Sequence, residues 1–569
     1  MQHDSLTDPA LPMPLPDRSG VRHITIIGSL VGLTFAATYL HPALEDYRPW
    51  IPGDPTPLAG LFDGERSKEA PLIISQTQQQ RSWQEGAIDE DIGGGLSDDE
   101  LLESASATEP PNFEAAPHPR RVPPTILSAL TSLSTPPTVS TSQEFLGTPA
   151  PIGRQTAIEP PRPGPIEVGG DDSEPATEPK RLEPSAWKGM TRPVELIGGK
   201  SCMDGFYRKL ARVGADEPNA KARVLVYSTS TNGSDRVTQK LRRVLGDQFG
   251  TAGKGMLPIA PAWKWQKHQD VDWSARGWKV FDLTRKNRRD GRYGLLGVVG
   301  RGYRGATSRY ALVDDGPGSV PLDRVDVYYR SGPAGGTLKI MIDGGEPIVV
   351  DTKSAKAADA HKRLQVDGAR TVKVTVASGA ATVYGVALEQ ERPGVVVDAA
   401  MLIGAFARRL DNFSAAHIKQ AVSDRQVDLA IFYLGANDAA ARSVSFRPKR
   451  FEAGYGSAID KVMAGAPNGS CLVMSILDQG VRKRRRIVSS DRVSDVVASQ
   501  KRVARAHGCA FFNLFDAIGG PGTMGRWYTA RPRLVTSDLG HPTVAGARVV
   551  GLLLGKALLK GYDDWAANP

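Results

Sequence analysis

Apolar and polar residues alternate along this 569-residue chain in three distinct ways, and the manner changes near Pro193 and again near residues 255 and 392. From Arg223 to Tyr227 (RVLVY) the chain is continuously apolar, then small and polar. A helical stripe follows, with Val237, Leu241, Val244 and Leu245 at its apolar positions. Strand, tight loop and helix in that order open an α/β unit. The runs Val427–Leu434, Cys471–Leu477 and Cys509–Leu514 are again continuous rather than alternating, as parallel strands covered on both faces require. An apolar-striped helix is predicted over Thr543–Leu559. Between these parts, residues 320–390 alternate in short strand-like segments (RVDVYYR, TLKIMI, TVKVTV, ATVYGVAL) divided by Gly/Asp turns. That texture predicts an all-β sandwich or jelly roll inserted into the α/β domain.

The first third of the chain is unlike either. Of the 42 prolines, 28 fall in the first 193 residues, and Ser82–Pro119 holds ten acidic residues with no Lys or Arg. No period of 3.6 or 2 is sustained from Pro42 to Pro193. A segment that buries so little apolar surface does not offset its ordering entropy, so 41–194 reads as a disordered Pro-rich, acidic linker. As a flexible tether it would span roughly 70 Å. Ahead of it, Ile24–Leu40 is uncharged for seventeen residues and follows Arg18 and Arg22. This is the short end of what crosses a bilayer, with the 1–23 tail cytoplasmic and the head in the periplasm or outside the cell. The alternative is a signal peptide cleaved after the small residues Ala36-Ala37-Thr38.

Charge and cysteine content narrow the classes. The net charge of +9 comes from scattered residues, which argues against nucleic acid as partner, apart from the run Arg482–Arg486. That run is either a solvated surface or an attractor of an anionic polymer or lipid headgroup. Three cysteines with no CxxC or HExxH spacing exclude a disulfide scaffold and argue against a zinc site. No metal or cofactor is expected. Trp263, Trp265, Trp273 and Trp278 read as core packing ahead of sugar stacking, and Cys202 has no evident partner.

Three loops follow predicted strands and a fourth precedes the final helix; in an open parallel sheet, loops at the carboxyl edge converge on one crevice. They carry Ser228-Thr229-Ser230, Ile403-Gly404-Ala405, Gly435-Ala436-Asn437-Asp438 and Ser537-Asp538-Leu539-Gly540-His541. Acyl transfer needs such a set. A serine hydroxyl needs an imidazole to take its proton, and His541 is oriented by Asp538 three residues earlier. A developing oxyanion needs donors, here the Ser230 and Gly404 N–H groups and the Asn437 amide. Singly, each piece has a plainer reading: a capping Asp, a turn, a solvated loop.

Together the blocks resemble the SGNH (GDSL-like) hydrolase family, with GAND at 435–438 and DLGHPT at 538–543. The stretches at 234–250, 253–258 and 515–528 are similar to periplasmic enzymes of that family acting on peptidoglycan O-acetyl groups. The resemblance covers roughly 200–562. It implies a flavodoxin-like three-layer α/β/α domain formed by 195–254 and 393–569, interrupted by a carbohydrate-binding-like jelly roll at 255–392. It implies catalytic Ser230, Asp538 and His541, an oxyanion hole of Ser230, Gly404 and Asn437, and an acetylated glycan as substrate. The activity implied is a carbohydrate O-acetylesterase; an O-acetyltransferase with the same triad, or a glycan-binding pseudoenzyme, are the alternatives. One departure stands out: Ser228-Thr229-Ser230 occupies the place of the family's Gly-Asp-Ser. A flavodoxin-like order also sets the strands that open with Cys471 and Cys509 side by side, about 5 Å apart, within reach of a disulfide.

Overall fold

The computed structural model describes residues 96–106, 178–264, 266–285, 288–313, 320–441 and 445–568. The segment 24–40 expected to anchor the chain, the 1–23 tail and Trp265 lie outside these. Among the described residues no helix is long and apolar enough to cross a membrane.

The helices in chain order are α1 (Asp98–Ser106), α2 (Asp204–Gly214), α3 (Arg236–Phe249), α4 (Ala415–Arg425), α5 (Ala436–Ala440), α6 (Pro448–Met463), α7 (Arg492–Ala506), α8 (Leu514–Ala517), α9 (Thr523–Thr529) and α10 (Val544–Ala566). The first strand, β1 (Lys221–Ser228), is buried along its whole length. Nine strands follow, β2 (Gly253–Pro258), β3 (Val271–Asp282), β4 (Val298–Leu312), β5 (Leu322–Ser331), β6 (Thr337–Ile342), β7 (Ile348–Asp351), β8 (Ala358–Ala369), β9 (Thr371–Ser378) and β10 (Ala380–Glu389). Then come β11 (Gly394–Met401), β12 (Leu429–Tyr433), β13 (Ser470–Met474), the hairpin β14 (Gly480–Lys483) and β15 (Arg486–Ser489), and β16 (Ala510–Phe512).

Five strands form a parallel sheet in the order β11-β1-β12-β13-β16. Counted within the α/β portion this is 2-1-3-4-5, the flavodoxin-like order, whose switch point lies beside the first strand. Alternate residues of β1 feed two cores. Val224 and Val226 join a cluster with α2, α3 and α10, while Leu225 and Tyr227 join one with α4, α6 and α7. Both faces are covered, which is why these strands are apolar without alternation. Cys471 and Cys509 sit next to each other at the start of β13 and just before β16, with Cα atoms 4.8 Å apart, and are joined by a disulfide.

The insertion is a nine-stranded antiparallel sheet around a core of its own. Its strands do alternate, as in β9, where Val372, Val374 and Val376 point inward. Trp273 and Trp278 pack against this core, and Trp273 stacks on Tyr310 at 6.4 Å. Buried charges join the insertion to the parallel sheet. Arg425 of α4 pairs with Asp398 of β11 at 2.6 Å and with Glu389 of β10, which also accepts from Arg223 of β1 at 3.1 Å and pairs with Arg324 of β5. Three guanidiniums outweigh burial and hold the Glu389 carboxyl well below the usual carboxylate range.

The expected linker, 41–194, needs correction in two places. Helix α1 docks on α10 with Leu101 fully buried. Its start is a reciprocal capping box: Ser97 Oγ accepts from the Glu100 N–H at 3.3 Å, and the Glu100 carboxylate accepts from the Ser97 N–H at 2.7 Å. Lys240 reaches Asp98 at 2.7 Å. Residues from 178 onward also belong to the fold. Leu182 is buried, and Arg181 clamps Asp563 of α10 with two bonds of 2.8 Å. A fragment beginning at 195 would leave these partners bare.

Candidate active site

The loop after β1 is tied down before it reaches Ser230. Ser228 ends the strand in register with Met401 and Tyr433, and its hydroxyl bonds the Ala400 carbonyl at 3.3 Å. Its backbone is not left-handed, so the serine standing where the family has glycine carries no conformational penalty. Asn232 joins strand end to helix start: its Oδ1 accepts from Val237 N–H at 2.9 Å, and its Nδ2 donates to Ser228 Oγ at 3.1 Å.

Two successive non-glycine residues, Ser234 (φ 58°) and Asp235 (φ 62°), then adopt the left-handed conformation. Such residues cost of order 1–3 kcal/mol each and persist only where the surroundings over-determine them. Here the anchor is the fully buried Asp235 carboxylate. It is bonded by Thr238 and by Lys254 of β2, with Arg242 at 3.6 Å and the Gln269 N–H at 3.3 Å. Burial alone would raise its pKa, but Lys254 and Arg242 outweigh it and keep Asp235 ionised. Lys254 is pushed down to about 8 by burial, and burial lowers His268 to about 3, so His268 is neutral. Nothing in the local sequence pattern signals this buried ion cluster.

Ser230 opens a short 3-10 turn after the extended Thr229. Its Oγ lies 2.7 Å from His541 Nε2, and His541 Nδ1 lies 2.6 Å from Asp538 Oδ2. The carboxylate fixes the tautomer: Nδ1–H donates to Asp538, leaving the Nε2 lone pair to accept from Ser230. Asp538 Oδ1 accepts further bonds from Thr536 Oγ1 (2.7 Å), Gly540 N–H (2.9 Å) and His541 N–H (3.0 Å). Burial raises the Asp538 pKa, but the contact with His541 and these donors win, holding it well below the ordinary value. Asp538 is not the helix cap that its spacing permits; Thr543 takes that role for α10, accepting from the Gly546 N–H at 3.2 Å.

A cleft at the carboxyl edge of the sheet is lined by Ser230 and Thr231, by Asn437 between Ala436 and Ala440, and by Gln479-Gly480 and the Asp538–His541 loop. Asn437 Nδ2 donates to the Ala405 carbonyl at 2.9 Å, which fixes the amide and leaves its second N–H. Gln479 Nε2 ties the two walls by donating to the Ala436 carbonyl at 2.8 Å. The structure thus brings together Ser230, Asn437, Asp538 and His541. Gly404, at φ 75°, stands in the turn closed by Ala405 N–H to Leu402 O and is not among the residues lining the cleft. Thr231, Gln479 and Gly480 were not singled out in advance, although their positions after β1 and β13 follow the same edge rule. Among the described residues no group of His, Cys, Asp and Glu is arranged to hold a metal ion.

Residues 361–549 match the GDSL-like Lipase/Acylhydrolase family. The match begins inside the insertion and contains Asp538 and His541 but not Ser230, which the fold supplies from the far side of the insertion. Among solved structures the chain is similar to a peptidoglycan O-acetylesterase, with 19% identity over 66% of this chain and 99% of that one and a TM-score of 0.56. A GDSL-like lipase from Bacteroides thetaiotaomicron is 18% identical over 29% of this chain and 76% of its own, with a TM-score of 0.22. A family two carbohydrate esterase from Cellvibrio japonicus is 12% identical over 52% and 98%, with a TM-score of 0.21. No curated protein matches by sequence.

Proposed function

We propose, from the premise that this chain carries a GDSL-like acylhydrolase domain and is an ester-cleaving enzyme, that it removes O-acetyl groups from a cell-envelope glycan through an acetyl-Ser230 intermediate. The observation that carries this is the unbroken relay from Ser230 Oγ to His541 Nε2 (2.7 Å) and from His541 Nδ1 to Asp538 (2.6 Å). His541 takes the Ser230 proton as Oγ attacks the acetyl carbon. The negative charge passes to the carbonyl oxygen, where the Ser230 N–H and the second Asn437 N–H are the donors we assign. Collapse expels the sugar alkoxide, which takes the proton from His541. A water then gives its proton to His541 and attacks the acetyl group, and acetate leaves as Ser230 is reprotonated.

Small walls support a short acyl group: Ala436, Ala440 and Gly480 line the cleft that holds Ser230. A complete triad favours the enzyme over a pseudoenzyme. The glycan class draws on the peptidoglycan O-acetylesterase that shares this fold. We further propose export, with 24–40 as an inner-membrane anchor and the head in the periplasm; a disulfide between Cys471 and Cys509 suits an oxidising compartment. The test incubates the full chain with O-acetylated peptidoglycan and measures free acetate, beside Ser230→Ala. Acetate is expected from the wild type alone. Acetyl transfer to a second sugar without free acetate would replace esterase by transferase, and undiminished release by Ser230→Ala would overturn the assignment.

A further inference from the structure

The hairpin β14–β15 grows out of the cleft wall. Gly480, its first residue, lines the cleft beside His541 and donates its N–H to the Leu539 carbonyl at 2.8 Å, so the hairpin is fastened to the loop that carries Asp538 and His541. Its base is closed by Ser490 N–H to Gln479 O at 2.7 Å. From there Arg482, Lys483, Arg484, Arg485 and Arg486 run through the tip, all exposed. Four residues of strand carry the tip about 13 Å from Gly480.

These cations are nearly unneutralised. Among the described residues only Lys483 has a carboxylate in range, Asp491 at 3.9 Å, which is itself 96% exposed. Beside the hairpin two guanidiniums lie against the Tyr528 ring, Arg482 at 4.9 Å and Arg533 at 4.5 Å. Five like charges in sequence repel one another and add nothing to a two-stranded hairpin that is marginal by itself. The arrangement gains only when an anion with several charges lies along it.

Resting on the esterase reading above, we infer that this hairpin, with Tyr528 and Arg533, is the docking surface for the acetylated polymer itself, and that the polymer is a carboxylate-bearing glycan rather than a neutral polysaccharide. Position decides between a glycan and an anionic lipid surface. The patch begins at the cleft rim, so its occupant is the molecule that also enters the cleft. The attraction works by steering and retention, and so through KM and salt.

The experiment uses the full chain and the triple variant R484Q/R485Q/R486Q. It measures kcat/KM on p-nitrophenyl acetate, on an acetylated carboxylated glycan and on acetylated xylan, at low and high salt. The expected result is a fall of about tenfold in the ratio of carboxylated-glycan to small-ester turnover, carried by KM and matched by loss of the salt dependence. An equal fall on acetylated xylan, or an unchanged ratio, overturns the proposal. Binding to anionic phospholipid vesicles that the variant loses, with glycan kinetics unmoved, overturns it in favour of a lipid surface. Absence of any wild-type esterolysis would sink the esterase reading separately. In that event cosedimentation with the de-acetylated carboxylated glycan still tests the surface, retention by wild type and loss in the variant supporting it.

Discussion

Two buried histidine–aspartate pairs share one bond and differ in the other. In the cleft, His541 Nδ1 meets Asp538 at 2.6 Å and Nε2 meets the Ser230 hydroxyl at 2.7 Å. At the seam between insertion and α/β domain, His417 of α4 meets Asp359 of β8 at 2.7 Å, while its Nε2 accepts the Gly294 backbone N–H at 2.8 Å. Tyr384 OH and Arg292 complete the Asp359 carboxylate. In both pairs burial raises the carboxyl pKa and the histidine bond and its companions bring it below the ordinary value. What separates them is the group on Nε2. A hydroxyl gives up its proton and becomes a nucleophile; a backbone amide gives up nothing. On the proposed function, one pair performs chemistry while the other pins two domains together.

The contrast has measurable consequences. Ser230→Ala and His541→Ala are each expected to lower kcat/KM on a small acetyl ester by about 10⁴-fold or more, with Asp538→Asn close behind. His417→Ala is expected to stay within a few-fold of wild type on the same ester. Equal losses at His541 and His417 would break the distinction. Asn437→Ala comes next, at about 10²–10³-fold in kcat, as for loss of one oxyanion donor. For His417→Ala the loss is expected in stability instead, about 3 kcal/mol by denaturant titration, because Asp359 keeps a buried charge with fewer partners.

The smallest effect concerns pH. Asp428 has no histidine; burial raises its carboxyl to about 6, although the Arg223 N–H bonds it at 2.8 Å. Between about pH 4 and 6 the folded chain then binds more protons at this site than the unfolded chain, so its contribution to stability falls as pH rises through that window. Asp538 and Asp359, held low, act with the opposite sign: their contribution is complete above the ordinary carboxylate pKa and is lost as pH falls below it. Asp428→Asn is expected to remove a decline of at most about 3 kcal/mol between pH 4 and 6. An unchanged stability profile in that variant would show that Asp428 is already ionised there.

Much of this was legible because it depends on apolar continuity and on loops at strand ends. The runs around Val224, Leu429 and Leu472 could only be strands covered on both faces, and their order brought GAND and DLGHPT to one edge. The left-out parts have other causes. Helix α1 has too few turns to be stable alone, and its Leu101 and Leu102 sit among Asp98, Asp99, Glu100 and Glu103, so composition pointed to a linker while packing on α10 made a helix. Charged residues such as Arg425, Glu389 and Asp235 look like solvated positions until the fold pairs them.

The insertion also governs how the catalytic sheet is assembled during folding. β1 pairs with β11 along its whole length, yet Ser228 and Gly394 are separated by the entire insertion. Left to chance encounter, that closure carries the entropy of a very long loop. The insertion brings its own ends together, with Gly253 opposite Glu389 in the β2–β10 ladder and the Gln390 N–H bonded to the Ala252 carbonyl. Once it has folded, only residues 229–252, which include helix α3, and residues 390–393 remain between the paired strands, which lowers the entropic barrier to β1–β11 pairing by roughly 1.5 kcal/mol. In its native pairing the β domain thereby holds the two ends of β1's longest connection together, so the strand that leads to Ser230 gains its neighbour at a smaller entropic cost.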